Sequence, residues 1–334
     1  MLTSVNMGAV LGEAAGPSYG QPGTGQQFAV LVGLAEVVAE ELERRLADGV
    51  GAAQRRALTT AAGRERDRLR LLRSVVTRTL DSSAALPAVP GLTLAAFHRP
   101  AAPTGLGGDF LDVFPLDDGA WGVIVGDVCG SGVTAASLTA HCWYVMRRAA
   151  DRSQRPAAML RALNDELLHR TVDANGFCTA LCALVKTGDG GCRVTIASGG
   201  HPEPLLVRQE NGVVRPRTLG LRPGPMLGVR TDPVFPEVTL PLALGDTLLA
   251  YTDGLTEARL PSGAMVSEAG VAAAVGALDT VNAGKVIDCV RQLLSAATGS
   301  RRPDDVAALA LTAGPSGTAT VSRTATARAA GPAM

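Results

Sequence analysis

Hydrophobic positions change their period once along the chain, near residue 87. Ahead of that point Leu31, Leu34, Val38, Leu42 and Leu46 recur every three or four residues over a charged face. Leu69, Leu72, Val76 and Leu80 form a second stripe, and between 64 and 73 Arg alternates with Glu65 and Asp67. This spacing predicts amphipathic helices. Residues 28–86 therefore read as a helical linker or the remnant of a sensor. Two readings of the stripes stay open: exposed helices, or a coiled-coil seam that makes a homodimer through residues 31–80. Residues 1–27, with Gly16-Pro17 and Pro22-Gly23, read as loop or disorder.

Pro87 and Pro90-Gly91 close the helical region. Beyond them short β-rich runs occupy 92–98, 110–116, 121–125, 179–185, 193–197, 204–207, 246–251 and 306–311, split by Gly, Pro and Asp turns. Helical patterns fall at 135–149, 157–171 and 271–297, the last with a break near Asn282. Strand hairpins with segregated helix pairs predict an α+β class, helices covering a pair of antiparallel sheets over residues 90–313. After Gly314 the chain is Ala, Thr, Ser and Arg without periodicity, so 314–334 reads as a disordered tail.

Composition narrows the function. The 334 residues carry 31 basic and 31 acidic side chains, a formal charge of zero, which excludes the basic footprint of a nucleic-acid binder. Six cysteines show no CxxC pairing and suit a reducing, cytoplasmic compartment. The stretch 128–146 lacks charge but holds Ser, Thr, Gly and His, so it reads as a buried segment and no membrane span is expected.

Acidic residues recur at the ends of the strands. Gly107-Gly108-Asp109 opens one, Gly126-Asp127-Val128-Cys129-Gly130-Ser131-Gly132 closes the next, Thr252-Asp253-Gly254 follows a third, and Asp304-Asp305-Val306 begins the last. Any one of them taken alone is ordinary turn chemistry. Four in strand-linked order, with no His or Cys at ligand spacing, point to an oxygen-loving cation, Mg²⁺ or Mn²⁺ rather than Zn²⁺.

These strings, with Ser198-Gly199-Gly200-His201-Pro202-Glu203-Pro204 and Tyr251-Thr252-Asp253-Gly254-Leu255-Thr256-Glu257 in the same order, resemble the PPM (protein phosphatase 2C-like) phosphatases. The resemblance is to the bacterial branch of sigma-factor regulators and the stage II sporulation phosphatase E. It implies a four-layer α-β-β-α sandwich and a protein serine/threonine phosphatase with two Mn²⁺ or Mg²⁺ ions. It further implies that Asp127 bridges the metals, that the Val128 carbonyl helps hold one, and that Asp109, Asp253 and Asp304 are further ligands. The implied substrate is a phosphorylated anti-anti-sigma factor, a STAS-domain protein.

Three positions depart from relatives. Cys129 stands where another branch carries His, and reads as packing rather than nucleophile. Ser131 stands where relatives often carry a cation, and Ala307 replaces a frequent Thr. His201 reads as a hydrogen-bonded turn histidine. The competing reading is a catalytically weak or dead adaptor that binds the same partner. A two-metal nucleotidyl cyclase lacks its purine-selecting residues.

Overall fold

The computed structural model describes residues 86–101, 107–130, 132–170, 176–188, 190–297, 304–315, 319–321 and 325–326. The readings of 1–27, of the helical linker up to residue 85 and of self-association through 31–80 lie outside the described residues, as does Ser131.

Period-two alternation sorts the side chains of β2 (Asp109–Pro115) and β3 (Trp121–Val128) between two faces. Phe110, Phe114, Ile124 and Val128 turn toward helices α1 (Gly132–Arg152) and α2 (Pro156–Arg170) and share one apolar core with them. Val113, Val123 and Val125 turn the other way into a second core. With β4 (Cys178–Gly188), β5 (Gly191–Gly199) and β8 (Glu237–Ala243), these strands form an antiparallel sheet in the order β2-β3-β4-β5-β8.

The second sheet joins β1 (Leu92–Arg99), β6 (Leu205–Glu210), β7 (Val213–Thr218), β9 (Thr247–Tyr251) and β10 (Val306–Ala313) in the order β1-β10-β9-β6-β7. Leu94, Leu206, Leu248, Leu309 and Leu311 face the first sheet across the second core. Phe97, Leu205, Leu249 and Tyr251 face away and pack on α4 (Ser267–Gly276) and α5 (Ala283–Ala296) in a third. Three cores thus separate helices, sheet, sheet and helices. Strand β10 is buried at every position because it is covered on both faces, which explains its unbroken apolar run VAALALTA. Asn282 starts α5 by accepting the Lys285 N–H at 2.9 Å, so the break expected there is an N-cap. Among the described residues, no helix is long and apolar enough to cross a membrane.

Two strands escape the sequence pattern. Strands β7 and β8 contain Pro216 and Pro241, which argue against a strand in the middle of a sheet. Both are sheet edges, where a missing N–H need not face a partner. Among the described residues of 314–334, β11 (Ala319–Val321) and β12 (Ala325–Thr326) pair in parallel with β1. Alternating Ala and Thr give no hydrophobic signal, and it is the open edge of β1 that selects them.

Candidate active site

The acidic motifs meet at one end of the gap between the sheets. Strand β2 pairs Asp109 with Asp127 of β3, and β3 pairs Asp127 with Thr179 of β4. Odd-numbered residues of these strands line the inter-sheet core, so all three side chains enter the gap. Opposite them β1 and β10 pair His98 with Ala307, and Thr252 follows the end of β9. The Thr252 hydroxyl donates to Asp109 Oδ2 at 2.6 Å and accepts the Ala307 N–H at 2.9 Å. This hydroxyl ties the two sheets together beside the cluster. Asp253 begins the one-turn helix α3 (Asp253–Thr256).

Gly108 has a steric reason to be glycine. A Cβ there would lie 2.3 Å from the Val128 carbonyl oxygen and 3.0 Å from Asp127 Oδ1. The two oxygens converge on space that only a bare Cα leaves open. The Gly108 carbonyl is itself held by the Val128 N–H at 3.2 Å and by the Thr139 hydroxyl of α1 at 2.9 Å.

Electrostatically the cluster is under tension. Burial, then the Asp127 charge, pushes the Asp109 carboxyl well above the usual carboxylate range, against the Thr252 hydrogen bond. Burial and the Asp253 charge, with smaller contributions from Asp304 and Asp305, raise Asp127 to about 7. Asp253 is raised by burial, Glu257 and Asp304. Among the described residues no Lys or Arg forms an ion pair with any of Asp109, Asp127, Asp253 or Asp304. Carboxylates crowded in this way gain most from a cation.

The two residues of the Asp304-Asp305 pair differ. Asp304 is exposed, and its Oδ1 accepts the Asp305 N–H at 2.8 Å. Asp305 is buried and accepts the Ala101 N–H at 2.6 Å and the Gly108 N–H at 2.7 Å. Among the described residues no three His, Cys, Asp or Glu side chains form a finished metal cage. The donor chemistry nonetheless suits Mg²⁺ or Mn²⁺: carboxylates and a main-chain carbonyl around one cleft, with excess negative charge.

Sequence reasoning left four neighbours without a role: His98, Thr179, Thr252 and Asp305. His98 is half-buried with its Nε2 enclosed and lacking a hydrogen bond, and desolvation lowers its pKa against the pull of Asp305. Thr179 meets His201 Nδ1 at 2.9 Å. His201 is buried, and its main chain exchanges hydrogen bonds with the Ser198 hydroxyl. Burial takes its pKa down to about 3, so it is neutral at physiological pH. Strand register brings His98 and Thr179 to the cluster, while Thr252 and Asp305 adjoin Asp253 and Asp304 and gain their roles through long-range bonds to Asp109 and Gly108. Cys129 pairs its N–H with the Phe177 carbonyl and receives the Phe177 N–H on sulfur at 3.5 Å.

Residues 117–314 match the model of the stage II sporulation protein E (SpoIIE) family. The stretch includes Asp127, Val128, Asp253 and Asp304; Asp109 lies just ahead of it. The chain is 27% identical over 179 residues to the phosphoserine phosphatase RsbU of Bacillus subtilis, covering 53% of this chain and 50% of that protein. It is 25% identical over 159 residues to the phosphoserine phosphatase RsbP of the same organism, covering 47% of this chain and 38% of that one. The chain therefore spans half or less of these relatives' length. A crystal structure of the RsbU and RsbW domains of Rv1364c from Mycobacterium tuberculosis superposes with a TM-score of 0.58 at 28% identity, over 70% of this chain and 62% of that one.

Proposed function

Because the chain belongs to the SpoIIE family of PP2C-like phosphatase domains, we propose that residues 90–313 hydrolyse phosphoserine or phosphothreonine on a regulatory protein with the help of two Mn²⁺ or Mg²⁺ ions. The observation that carries this reading is the crowding of buried Asp109 against half-buried Asp127, neither paired with a Lys or Arg among the described residues, beside the gap left by Gly108. Asp109, Asp127, Asp253, Asp304 and the Val128 carbonyl are the proposed ligands. Bound there, divalent cations would offset phosphoryl charge and make a water a better nucleophile near neutral pH. The protein's own part is positioning. Thr252 fixes the Asp109 carboxylate, and β2–β3 pairing holds Asp127 against it. Packing in the second core holds the two sheets, and so the two halves of the site, at a constant separation. Cys129, engaged with Phe177, serves the main chain rather than the chemistry.

The substrate follows from the resemblance and from two relatives named as phosphoserine phosphatases: a phosphorylated STAS-domain anti-anti-sigma factor in a partner-switching pathway. Energy from a docked protein surface would align the phosphoserine. The test is phosphate release from such a phosphoprotein with Mn²⁺, compared with p-nitrophenyl phosphate. A far higher kcat/KM on the protein is expected. Tight binding without turnover would make the chain an adaptor instead.

A further inference from the structure

A cleft of carboxylates works only if the main chain presenting them is held still, and one side chain is built into that task. Asp305 is buried at the start of β10, and both of its oxygens receive main-chain N–H groups. The donors, Ala101 and Gly108, stand at the two ends of the connection from β1 to β2, the segment that delivers Asp109. At 2.6 and 2.7 Å these are short, charge-assisted bonds. The approach is close enough to dictate sequence. A Cβ on Gly107 would fall 2.2 Å from Asp305 Oδ2, and a Cβ on Gly254 would fall 1.9 Å from the Asp305 carbonyl oxygen. Three acidic motifs, around Asp109, Asp253 and Asp304, thus press on this one residue. Asp304 next to it turns outward and spends only Oδ1 on its neighbour's N–H.

We propose that Asp305 is the positioning residue of the site, a carboxylate clamp that joins both ends of the β1–β2 connection to β10. It fixes Gly108, and with it the gap shared by Asp127 Oδ1 and the Val128 carbonyl. It leaves metal ligation to Asp304. This role rests on the phosphatase reading for its purpose, but its geometry is testable without activity.

The experiment is amide hydrogen exchange on the metal-free full-length chain, wild type against Asp305→Ala and Asp305→Asn, followed by Mn²⁺ titration. In wild type the Ala101 and Gly108 amides are protected. In Asp305→Ala both exchange faster, on the order of a hundredfold, while β10 amides such as Leu309 keep their rates. The Asn variant, with one carboxamide oxygen and an NH₂ facing the second donor, releases one of the two amides and keeps the other. It serves equally if the Ala variant does not fold. Mn²⁺ affinity falls roughly 10–100-fold in Asp305→Ala with unchanged stoichiometry, the behaviour of a residue behind the ligands. Loss of one Mn²⁺ per chain, or amides indifferent to position 305, would overturn the clamp. An inactive wild-type chain whose two amides still respond would sink the phosphatase reading and support the clamp.

Discussion

Strand β2 carries two buried aspartates three residues apart, and their surroundings are opposite. Asp112, 4% exposed, faces α1 and meets Arg147 through both Nε at 2.8 Å and a terminal nitrogen at 2.7 Å. That guanidinium lies over the rings of Phe114 and Trp143, 4.3 and 4.7 Å from their centroids. Asp246, at the end of the turn into β9, is treated alike, with Arg208 and the Ala243 N–H on one oxygen. Asp109, 1% exposed, faces the inter-sheet gap and finds a hydroxyl and another carboxylate. Burying a carboxylate is costly unless the fold supplies its counter-charge. Where the fold supplies it, the acid is structural. Where it supplies more acid instead, the cluster costs folding stability, and a bound cation would offset that cost.

The largest effect should come from removing that cation or its central ligand. EDTA, or Asp127→Ala with Mn²⁺ present, should lower phosphate release from a phosphoprotein on the order of a thousandfold, what several kcal/mol of charge stabilisation is worth. Asp253→Asn and Asp304→Asn should also be severe. Full turnover in chelated buffer would erase the contrast between the two kinds of aspartate.

Next in size is the structural pair. Arg147→Ala takes the guanidinium away from buried Asp112 and strips a cation from two aromatic faces. Urea unfolding should show a loss of about 2–4 kcal/mol. Asp112→Asn in the same background should recover part of it, because the buried charge is then gone. No recovery would mean that packing of the Arg147 stem, rather than charge, holds α1 to β2.

The reverse behaviour is expected at the site. Asp127 holds its proton more tightly folded, near pH 7, than unfolded, near 3.8. Its stability contribution is therefore greatest below the lower value and is lost as pH rises through about 7. In metal-free buffer at pH 8, Asp127→Asn should be more stable than wild type by about 2 kcal/mol, discounted from the full shift because the residue is only half-buried. The gap should close toward pH 4. Mn²⁺ should then stabilise wild type and leave the variant unmoved. A variant less stable than wild type at pH 8 would show that Asp127 is already compensated.

How much of this could be read from the chain depends on the range of the interaction. Asp109, Asp127, Asp253 and Asp304 were legible because each sits next to a turn at a strand end, and their order matched a known family. Strand and helix positions followed from alternation wherever one face met a core. The tail strands and β7 and β8 did not, since sheet edges tolerate proline and low hydrophobicity. Thr179 and His98 gain roles only through register, and Thr252 through its long-range bond to Asp109, neither of which a local pattern specifies. Asp304 and Asp305 are adjacent in sequence, and they differ in burial: Asp305 turns inward onto two main-chain N–H groups while Asp304 is exposed. A coiled coil through residues 31–80 would make the chain sediment as a dimer, and a chain starting near Val89 as a monomer.

The smallest effect should come from Cys129, two residues beyond the central aspartate. A chemical thiol would need an electropositive surrounding to favour its thiolate. Here carboxylates crowd the neighbouring strand ends, and the sulfur accepts the Phe177 N–H at 3.5 Å while the Cys129 N–H returns a bond to the Phe177 carbonyl. The residue thus closes the end of the β3–β4 ladder just past Val128 and Cys178. A serine oxygen can accept the same N–H. Cys129→Ser should therefore keep kcat within about threefold of wild type and leave the Mn²⁺ requirement unchanged, a loss of less than 1 kcal/mol. Thiol alkylation is the blunter probe, because a bulky adduct blocks the sulfur and presses on the turn at the same time. If the serine variant is dead while its Mn²⁺ affinity and thermal stability match wild type, sulfur takes part in the reaction, and the division between structural and reactive side chains at this end of the sandwich must be redrawn.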